Sequence, residues 1–122
     1  MNIFTCSFSQ AKALDPDRYL IVSISRRSPR GFSGYRCSVL APSAGLLDDY
    51  HHGLSVDDYS VRYRQEIAAI PDLRGVFASI AYCCHGRDMV LCCYEKAGAF
   101  CHRHLLSDIV YDRFGYRINE LS

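Results

Sequence analysis

The sequence predicts an α/β domain in three layers, with a mostly parallel sheet of about four strands between helices. Apolar runs of strand length alternate along the chain with segments whose apolar residues recur at helical spacing. No hairpin turn such as Asn-Gly stands between two predicted strands, so helices are expected to join them and the strands to run parallel. The 122 residues, 49% of them hydrophobic, fit one domain spanning residues 1–122 with an ordinary core.

Charge and composition narrow the classes of partner. The formal net charge is +1, so no field of the whole molecule directs the protein to nucleic acid or to a membrane surface. Twelve of the 14 basic residues are arginines, whose planar guanidinium suits bidentate recognition of phosphate or carboxylate. A compositional bias of the genome is the competing explanation for that excess.

The cysteines and the N-terminus bear on the cellular compartment. The N-terminus lacks the basic segment and long apolar run of a secretory signal, and no apolar run approaches the ~20 residues that span a bilayer. We therefore expect a cytoplasmic protein with no membrane role. In that reducing compartment, the seven cysteines are expected to be core residues, metal ligands or reactive thiols rather than disulfide partners.

Two strands are predicted in the first quarter of the chain. Asn2–Phe8 combines apolar residues with Thr5 and other hydroxyl residues, which would present hydrogen-bond donors at the carboxyl edge of the sheet. One helical turn is expected over Gln10–Leu14. Tyr19–Ser25 is nearly continuous in its apolar part, which is typical of a strand covered on both faces.

An arginine-rich loop follows the second strand. Arg26–Arg36 is punctuated by Pro29 and two glycines and carries four arginines. At the carboxyl end of a central strand, it would lie where open α/β sheets bind ligands. Arg26 is nearest the strand end, and we interpret it as part of a clamp for a phosphate or carboxylate. A solvated loop kept soluble by its arginines is the alternative.

Three helices are predicted in the middle of the chain. Pro42-Ser43 begins a short one that ends at Gly53, Ser55 caps a second that runs to about Ala69, and Asp72 caps a third. On the second helix, the tyrosines at helical spacing are interpreted as core residues with solvated hydroxyls rather than as platforms that stack on a base.

The last third of the chain supplies the predicted site. Met89–Cys93 is a third strand, Cys101–Phe114 a helix and Tyr116–Glu120 a short edge strand. The loop Tyr94–Phe100, which contains a glycine at position 98, then lies at the carboxyl edge of the sheet. Three separate segments meet at this edge. Their candidate site residues are Thr5, Arg26, Cys93, Glu95, Cys101, His102 and Arg103.

The chemistry of this cluster has three interpretations. Cys101, at a helix N-terminus beside His102 and Arg103, is in an electropositive setting that favours the thiolate, as in a nucleophile or a metal ligand. Glu95 could act as general acid or base, or could orient Arg103 and the loop. The cluster is therefore a catalytic or ligand-binding pocket, a structural network that holds the loop, or a metal site of Cys93, Glu95, Cys101 and His102. Because the adjacent cysteine pairs of the chain lack the spacing of a zinc ribbon, we assign no metal from the sequence.

The same residues resemble a known signature. Leu91–Lys96 followed by Phe100–Arg103 is similar to the Cys-x-Glu, short loop and Cys-His-Arg of the domain-of-unknown-function family 488. The segments that resemble its short bacterial and phage branch are Ser23–Arg26 with Pro29, Leu40–Ser43, Tyr59 and Tyr63. The resemblance implies a small Rossmann-like α/β domain. It implies site positions at Cys93, Glu95, Cys101, His102, Arg103 and Arg26, and it supplies no reaction. Cys92 departs from the pattern, which has an aliphatic residue there.

We expect a small cytoplasmic protein that binds a nucleotide-like or nucleic-acid-derived anion in a crevice at the carboxyl edge of the sheet. The expected ligand-binding residues are Thr5, Arg26, Cys93 and Arg103, and the expected catalytic residues are Glu95, Cys101 and His102. Cleavage or transfer at a glycosidic or phosphate bond is the candidate reaction. The alternative is a non-catalytic interaction protein, for example phage-encoded and acting on a host macromolecule, whose motif is structural or metal-binding. The sequence names no cofactor.

Overall fold

The computed structural model describes residues 1–95 and 100–121 of the chain. Within these residues, five strands form one sheet in which all four pairings are parallel. The strands are β1 (Ile3–Ser7), β2 (Tyr19–Ser23), β3 (Tyr35–Arg36), β4 (Asp88–Cys93) and β5 (Asn119–Glu120). The prediction of a mostly parallel α/β sheet is confirmed, with five strands where about four were expected.

Five α-helices join these strands in the described part of the chain. They are α1 (Phe8–Ala11), α2 (Ala44–His51), α3 (Val56–Ala68), α4 (Leu73–Cys84) and α5 (His102–Phe114), with a 3-10 turn at Ser38–Leu40. The side chains of Ser43, Ser55 and Asp72 accept hydrogen bonds from main-chain N–H groups at the starts of α2, α3 and α4, as their sequence positions predict. The first helical turn lies earlier than expected, because Ser7 caps it.

The strand order β3-β2-β4-β1-β5 explains where the helices lie. From β1 the chain moves towards one edge of the sheet to β2 and β3, and then returns in the opposite direction to β4 and β5. Because crossovers between parallel strands are right-handed, the two directions place their connections on opposite faces. The outward path uses only α1 and a loop, whereas the return path uses α2 to α5. The two outer layers are consequently unequal.

The core reflects this asymmetry. The larger cluster of buried side chains packs β2 and β4 against α2 to α5 on one face. The smaller cluster covers the other face beneath α1, with Cys6, Val90 and Cys92 at its centre and Phe8 and Phe32 in edge-to-face contact, centroids 5.8 Å apart. Strand β4 lies between β1 and β2 and is buried on both faces, as its apolar run predicts.

Two findings qualify the sequence interpretation of individual elements. Strand β3 lies inside the stretch predicted as a loop, because a two-residue strand shows no periodicity. No single helix among residues 1–95 and 100–121 is long and apolar enough to span a membrane, and only α3 and α4, bent by 80°, reach that length and composition as a pair.

Replacing Gly34 by Ala is expected to lower the free energy of unfolding by about 1–3 kcal/mol, because the new methyl group overpacks a filled site. A Cβ atom at Gly34 would overlap the main-chain oxygen of Ile21 and lie 2.7 Å from the ring of Phe32. The control is Gly45→Ala in α2, where a Cβ has nothing within 4 Å and helix propensity favours Ala. Urea unfolding of both variants measures the difference. Equal stabilities would show that β3 shifts away from β2 without cost.

Candidate functional site

A crevice with a volume of about 520 Å³ opens at the carboxyl edge of the sheet. It lies beyond the ends of β2 and β4, where the start of α5 and the side of α2 form further walls. The chain changes its direction across the sheet at these strands, and such a switch point leaves a gap between the connections above it. The fold alone therefore produces the crevice in the place predicted from the sequence.

The walls of the crevice differ in chemistry. Arg26 and Arg27, both exposed, follow the end of β2 and form a cationic wall. An aromatic wall faces the same space and consists of Tyr50, Tyr59, Tyr94 and Phe100. Glu95, Cys101 and His102 add acid, thiol and imidazole groups to the lining, and Asp48 and His51 of α2 also border the crevice.

The aromatic wall is an extension of the core. The ring of Tyr59 has centroid distances of 4.9 Å to Tyr50 and 5.2 Å to Phe100, and burial raises its pKa above the usual value for tyrosine. Tyr63 is completely buried beneath it and donates a hydrogen bond to the main-chain oxygen of Leu40 at 2.7 Å. Tyr63 is thus a core residue, as predicted, but its hydroxyl is buried and bonded to Leu40 rather than solvated. Tyr59 is a core residue whose ring also borders the crevice. Tyr50, Tyr59 and Phe100 thus pack against one another, whereas Tyr94 packs on Phe8 with a centroid distance of 4.8 Å.

His102 has a defined tautomer. Its Nε2 atom lies 2.6 Å from the main-chain oxygen of Ile24, and since a carbonyl only accepts, Nε2 carries the proton. Nδ1 then presents its lone pair towards the sulfur of Cys101 at 3.7 Å. Burial, with a further contribution from the charge of Arg103, lowers the pKa of His102 to about 4. The imidazole is therefore neutral at physiological pH, able to accept a proton or to bind a metal through Nδ1.

Cys101 and Cys93 lie next to this imidazole. Cys101 is the N-cap residue of α5, as predicted, and its sulfur is 3.2 Å from a carboxylate oxygen of Glu95. Cys93 ends β4, is completely buried, and receives a hydrogen bond from Nη1 of Arg103 at 2.9 Å. The sulfurs of Cys93 and Cys101 lie within bonding distance of each other, whereas the sequence predicted thiols or metal ligands rather than disulfide partners.

Arg103 lies beneath the crevice and connects its parts through hydrogen bonds. Its guanidinium is fully buried and forms two hydrogen bonds with the carboxylate of Glu120, at 3.0 and 2.7 Å. Nη1 also donates to the main-chain oxygen of Glu95 at 2.7 Å, and Thr5 donates to Glu120 at 2.6 Å. Although burial alone would raise the pKa of Glu120, the hydrogen bonds from Arg103 and Thr5 hold it below the usual range.

The structure brings most of the predicted site residues together and corrects the position of some. Glu95, Cys101, His102 and Arg26 border the crevice, as expected of catalytic and anion-binding groups. Three residues expected to bind ligand are buried beneath the crevice and have no surface in it: Thr5, Cys93 and Arg103. Arg103 cannot bind a ligand in the crevice because every nitrogen of its guanidinium group already has a hydrogen-bond partner within the protein. The glycine at position 98, predicted in the connecting loop, lies outside the described residues.

Two features of the site were missed from the sequence. Glu120, the partner of Arg103, stands in the short edge strand that was predicted, but its pairing depends on the register that sets it opposite Thr5. The second feature is the direction of Cys92, which points to the opposite face of the sheet and lies 3.6 Å, sulfur to sulfur, from Cys6. Strand alternation separates it from Cys93, so Cys93 is the thiol of the site.

The arrangement allows two kinds of chemistry. In one, either the Nδ1 lone pair of His102 or the carboxylate of Glu95 takes the proton of the Cys101 thiol. In the other, a metal ion is bound: across residues 1–95 and 100–121, Cys93, Cys101 and His102 form one group whose donor atoms all lie within 4.8 Å of one another. Both kinds use Cys101 and His102, which border the crevice.

Comparisons with known proteins bear on the family of the chain. A family model described as the active DUF488-N3 subclade matches residues 3–113. No curated protein and no solved structure matches the chain. The matched range includes every site residue described above except Glu120.

Proposed function

The chain belongs to the domain-of-unknown-function family 488, and we propose that it is a cytoplasmic enzyme that binds a nucleotide-like or nucleic-acid-derived anion in the crevice. The proposed reaction is cleavage or transfer at a glycosidic or phosphate bond of that ligand. The observation that carries the proposal is the composition of the crevice. Its walls combine two exposed arginines, an aromatic surface, and a carboxylate beside a thiol and a neutral imidazole.

The cationic and aromatic walls of the crevice support the proposed class of ligand. Arg26 and Arg27 provide two unburied guanidinium groups, which suit the oxygen atoms of a phosphate or a carboxylate. Tyr50, Tyr59 and Phe100 offer apolar rings on which a base or a sugar can pack. A volume of about 520 Å³ is in the range of small-molecule sites and accommodates one nucleotide unit. A ligand with a flat ring at one end and an anionic group at the other satisfies both walls.

The reacting side chains lie between these walls. Glu95 is exposed at the crevice, so its carboxylate can exchange protons with a bound ligand and with water as a general acid or base. Cys101 and His102 form the remaining reactive surface at the floor. Because the Arg103–Glu120 pair fixes the start of α5 and the main chain at Glu95, the three groups keep their relative positions.

Binding tests the cationic wall. A panel of nucleoside 5′-monophosphates and a short single-stranded oligonucleotide would be titrated into the wild type and into Arg26→Ala/Arg27→Ala by calorimetry. We expect the double variant to lose at least roughly tenfold in affinity and to show a weaker salt dependence, because two phosphate-binding charges are removed. The matched control is Arg113→Ala, an exposed arginine in the last turn of α5. Equal losses in both variants would contradict the assignment of the anion site.

Glu95→Gln tests catalysis separately. With any ligand of the panel that is turned over, the substitution is expected to lower kcat by about 10²–10⁴ while leaving the melting temperature unchanged, because the amide keeps the shape but cannot transfer the proton. Activity is followed by release of base or phosphate, and folding by circular dichroism. An active Glu95→Gln variant would remove Glu95 from the mechanism.

A second function is favoured by one observation. All guanidinium nitrogens of Arg103 donate hydrogen bonds to groups of the protein, and Nη1 donates to the main-chain oxygen of Glu95. A purely structural motif would have this arrangement. In that case the protein is a non-catalytic interaction protein, for example phage-encoded, that acts on a host macromolecule. Unfolding of Glu95→Gln, together with no turnover by the wild type, would favour this second function.

A further inference from the structure

We propose that Cys93, Cys101 and His102 bind a zinc ion whose fourth coordination position opens into the crevice. The donor atoms of the three side chains lie within 4.8 Å of one another, and all three residues are buried. Two thiolates and one imidazole are a ligand set that zinc takes in catalytic sites, with water in the remaining position. The inference deepens the proposed function and rests on it only for the role given to Glu95.

The imidazole is already oriented as a ligand. A metal-binding histidine usually donates its other ring N–H to a carbonyl or carboxylate, which fixes the tautomer and the ring direction. His102 does this through Nε2, which donates to the main-chain oxygen of Ile24 at 2.6 Å. Its free Nδ1 atom faces the sulfur of Cys101 at 3.7 Å, so the nitrogen and the sulfur can share one ion.

The spacing of Cys93 and Cys101 also suits a metal ion between their sulfur atoms. The Cα atoms of Cys93 and Cys101 are 7.7 Å apart, beyond the roughly 4.4–6.8 Å that is usual for disulfides. Around zinc the sulfurs would stand roughly 3.8 Å apart, since each Zn–S bond is ~2.3 Å and the angles are tetrahedral. The Cα separation, wider than that of a usual disulfide, leaves room for an ion between the two sulfurs.

The surrounding charges favour the thiolate forms of both cysteines. Arg103 donates to the sulfur of Cys93 at 2.9 Å, and Cys101 stands at the N-terminus of the 13-residue helix α5, so both sulfurs are in settings that stabilise the thiolate. The positive charge of Arg103 is itself matched by Glu120. Binding replaces the two thiol protons by one Zn²⁺ and releases two protons to solvent.

The position of the site relative to the crevice gives the metal a role. Cys93 lies below the floor, while Cys101 and His102 border the open space, so the remaining coordination position points towards a bound ligand. Glu95, 3.2 Å from the sulfur of Cys101, is next to that position and can take a proton from a metal-bound water. Cys101 is then a ligand of the metal and not the nucleophile.

Metal content and thiol protection test the proposal. Protein purified under reducing conditions and loaded with zinc is expected to retain about one ion per chain after gel filtration, measured by mass spectrometry of the metal. Substitution by cobalt is expected to give the visible bands and the sulfur-to-metal charge-transfer band of a tetrahedral thiolate site. Alkylation of Cys101, which borders the crevice, is expected only after a chelator is added. A folded, reduced wild type that retains no zinc and shows no such protection would overturn the site.

Variants locate the ligands. Cys101→Ser, Cys93→Ser and His102→Asn are each expected to weaken zinc binding by at least roughly 100-fold in competition with a chelator. Cys92→Ser is the matched control, because Cys92 adjoins Cys93 in the sequence but lies against Cys6 on the other face of the sheet. Equal loss of zinc in the control would contradict the assignment. Circular dichroism separates a lost ligand from a lost fold, and cobalt spectra of whichever single variants remain folded decide the ligand set.

The two proposals fail in different ways. Glu95→Gln is expected to keep zinc and lose turnover, because its carboxylate is not one of the three proposed ligands. Zinc binding without any binding of nucleotides would retain the metal site and remove the ligand class proposed for the crevice. Nucleotide turnover by a metal-free wild type would support the function proposed for the crevice and would overturn the role proposed for zinc.

Discussion

Replacing Arg103 by Met is expected to lower the free energy of unfolding by about 3–5 kcal/mol, the largest effect of any single substitution at the site. The guanidinium is fully buried and paired with Glu120 through two hydrogen bonds. A methionine fills much of the same volume but leaves the carboxylate with only the hydroxyl of Thr5 as a partner. It also leaves the main-chain oxygen of Glu95 without its donor. Urea unfolding of the wild type and the variant measures the difference.

A second variant distinguishes the charge from the packing. In Arg103→Met/Glu120→Gln both charges are removed, so the cost of an unpaired carboxylate disappears and a substantial part of the lost stability should return. Arg103→Lys is the further control, because an ammonium keeps the charge but cannot form the two-pronged contact. A double variant no more stable than Arg103→Met would show that packing, not charge pairing, determines the stability here.

Much of the fold follows from the sequence because its signals are local. The apolar run at Met89–Cys93 predicts a strand buried on both faces, and capping residues such as Ser55 and Asp72 mark the starts of helices. These features depend on neighbours within a few residues. The two-residue strand β3 lacks such a signal, since it is defined only by its pairing with β2.

The unequal layers of the domain could not be read from local signals either. The sequence predicts alternating strands and helices, and this pattern suggests helices on both faces. The observed order β3-β2-β4-β1-β5 instead sends four of the five helices to one face. Strand order is a property of the whole chain, and the lengths of individual segments do not determine it.

In the candidate site, too, some features follow from local sequence and others depend on strand register. The sequence predicted that Cys93, Glu95, Cys101 and His102 meet, because topology places the end of one strand beside the start of the next helix. It did not predict that Arg103 turns down towards β5, because the carboxylate that attracts it lies 17 residues away and enters the site through strand register. Because Arg103 is buried, Arg26 and Arg27 are the arginines that border the crevice among residues 1–95 and 100–121.

Lowering the pH from about 7 to about 4 is expected to remove about 3 kcal/mol of stability from the metal-free protein through His102 alone. The pKa of His102 in the folded protein is about 4, against 6.5 for the unperturbed side chain, mainly because burial disfavours the imidazolium. Between these values the unfolded chain takes up a proton that the folded chain does not. The stabilisation is therefore fully present above pH 6.5 and is lost as the pH falls to about 4.

The groups around the imidazole support this direction. Arg103 and His104 on α5 disfavour a further positive charge, and the ring of Tyr63 on α3 packs edge-on at 5.6 Å without supplying a negative one. The main-chain oxygen of Ile24 is satisfied by Nε2–H in either protonation state. The hydrogen bonds that lower the pKa of Glu120 add a further loss of stability at still lower pH.

Unfolding by urea at several pH values measures the effect, with a chelator and a reductant present so that protons are the only ligands of the site. His102→Gln is the matched variant, because its side-chain amide retains a donor for Ile24 but does not titrate. The wild type is expected to lose stability steeply between pH 6.5 and 4, while the variant shows a shallower dependence over the same range. Parallel curves would mean that burial does not lower the pKa of His102 in the folded protein, which would contradict the expected pH dependence.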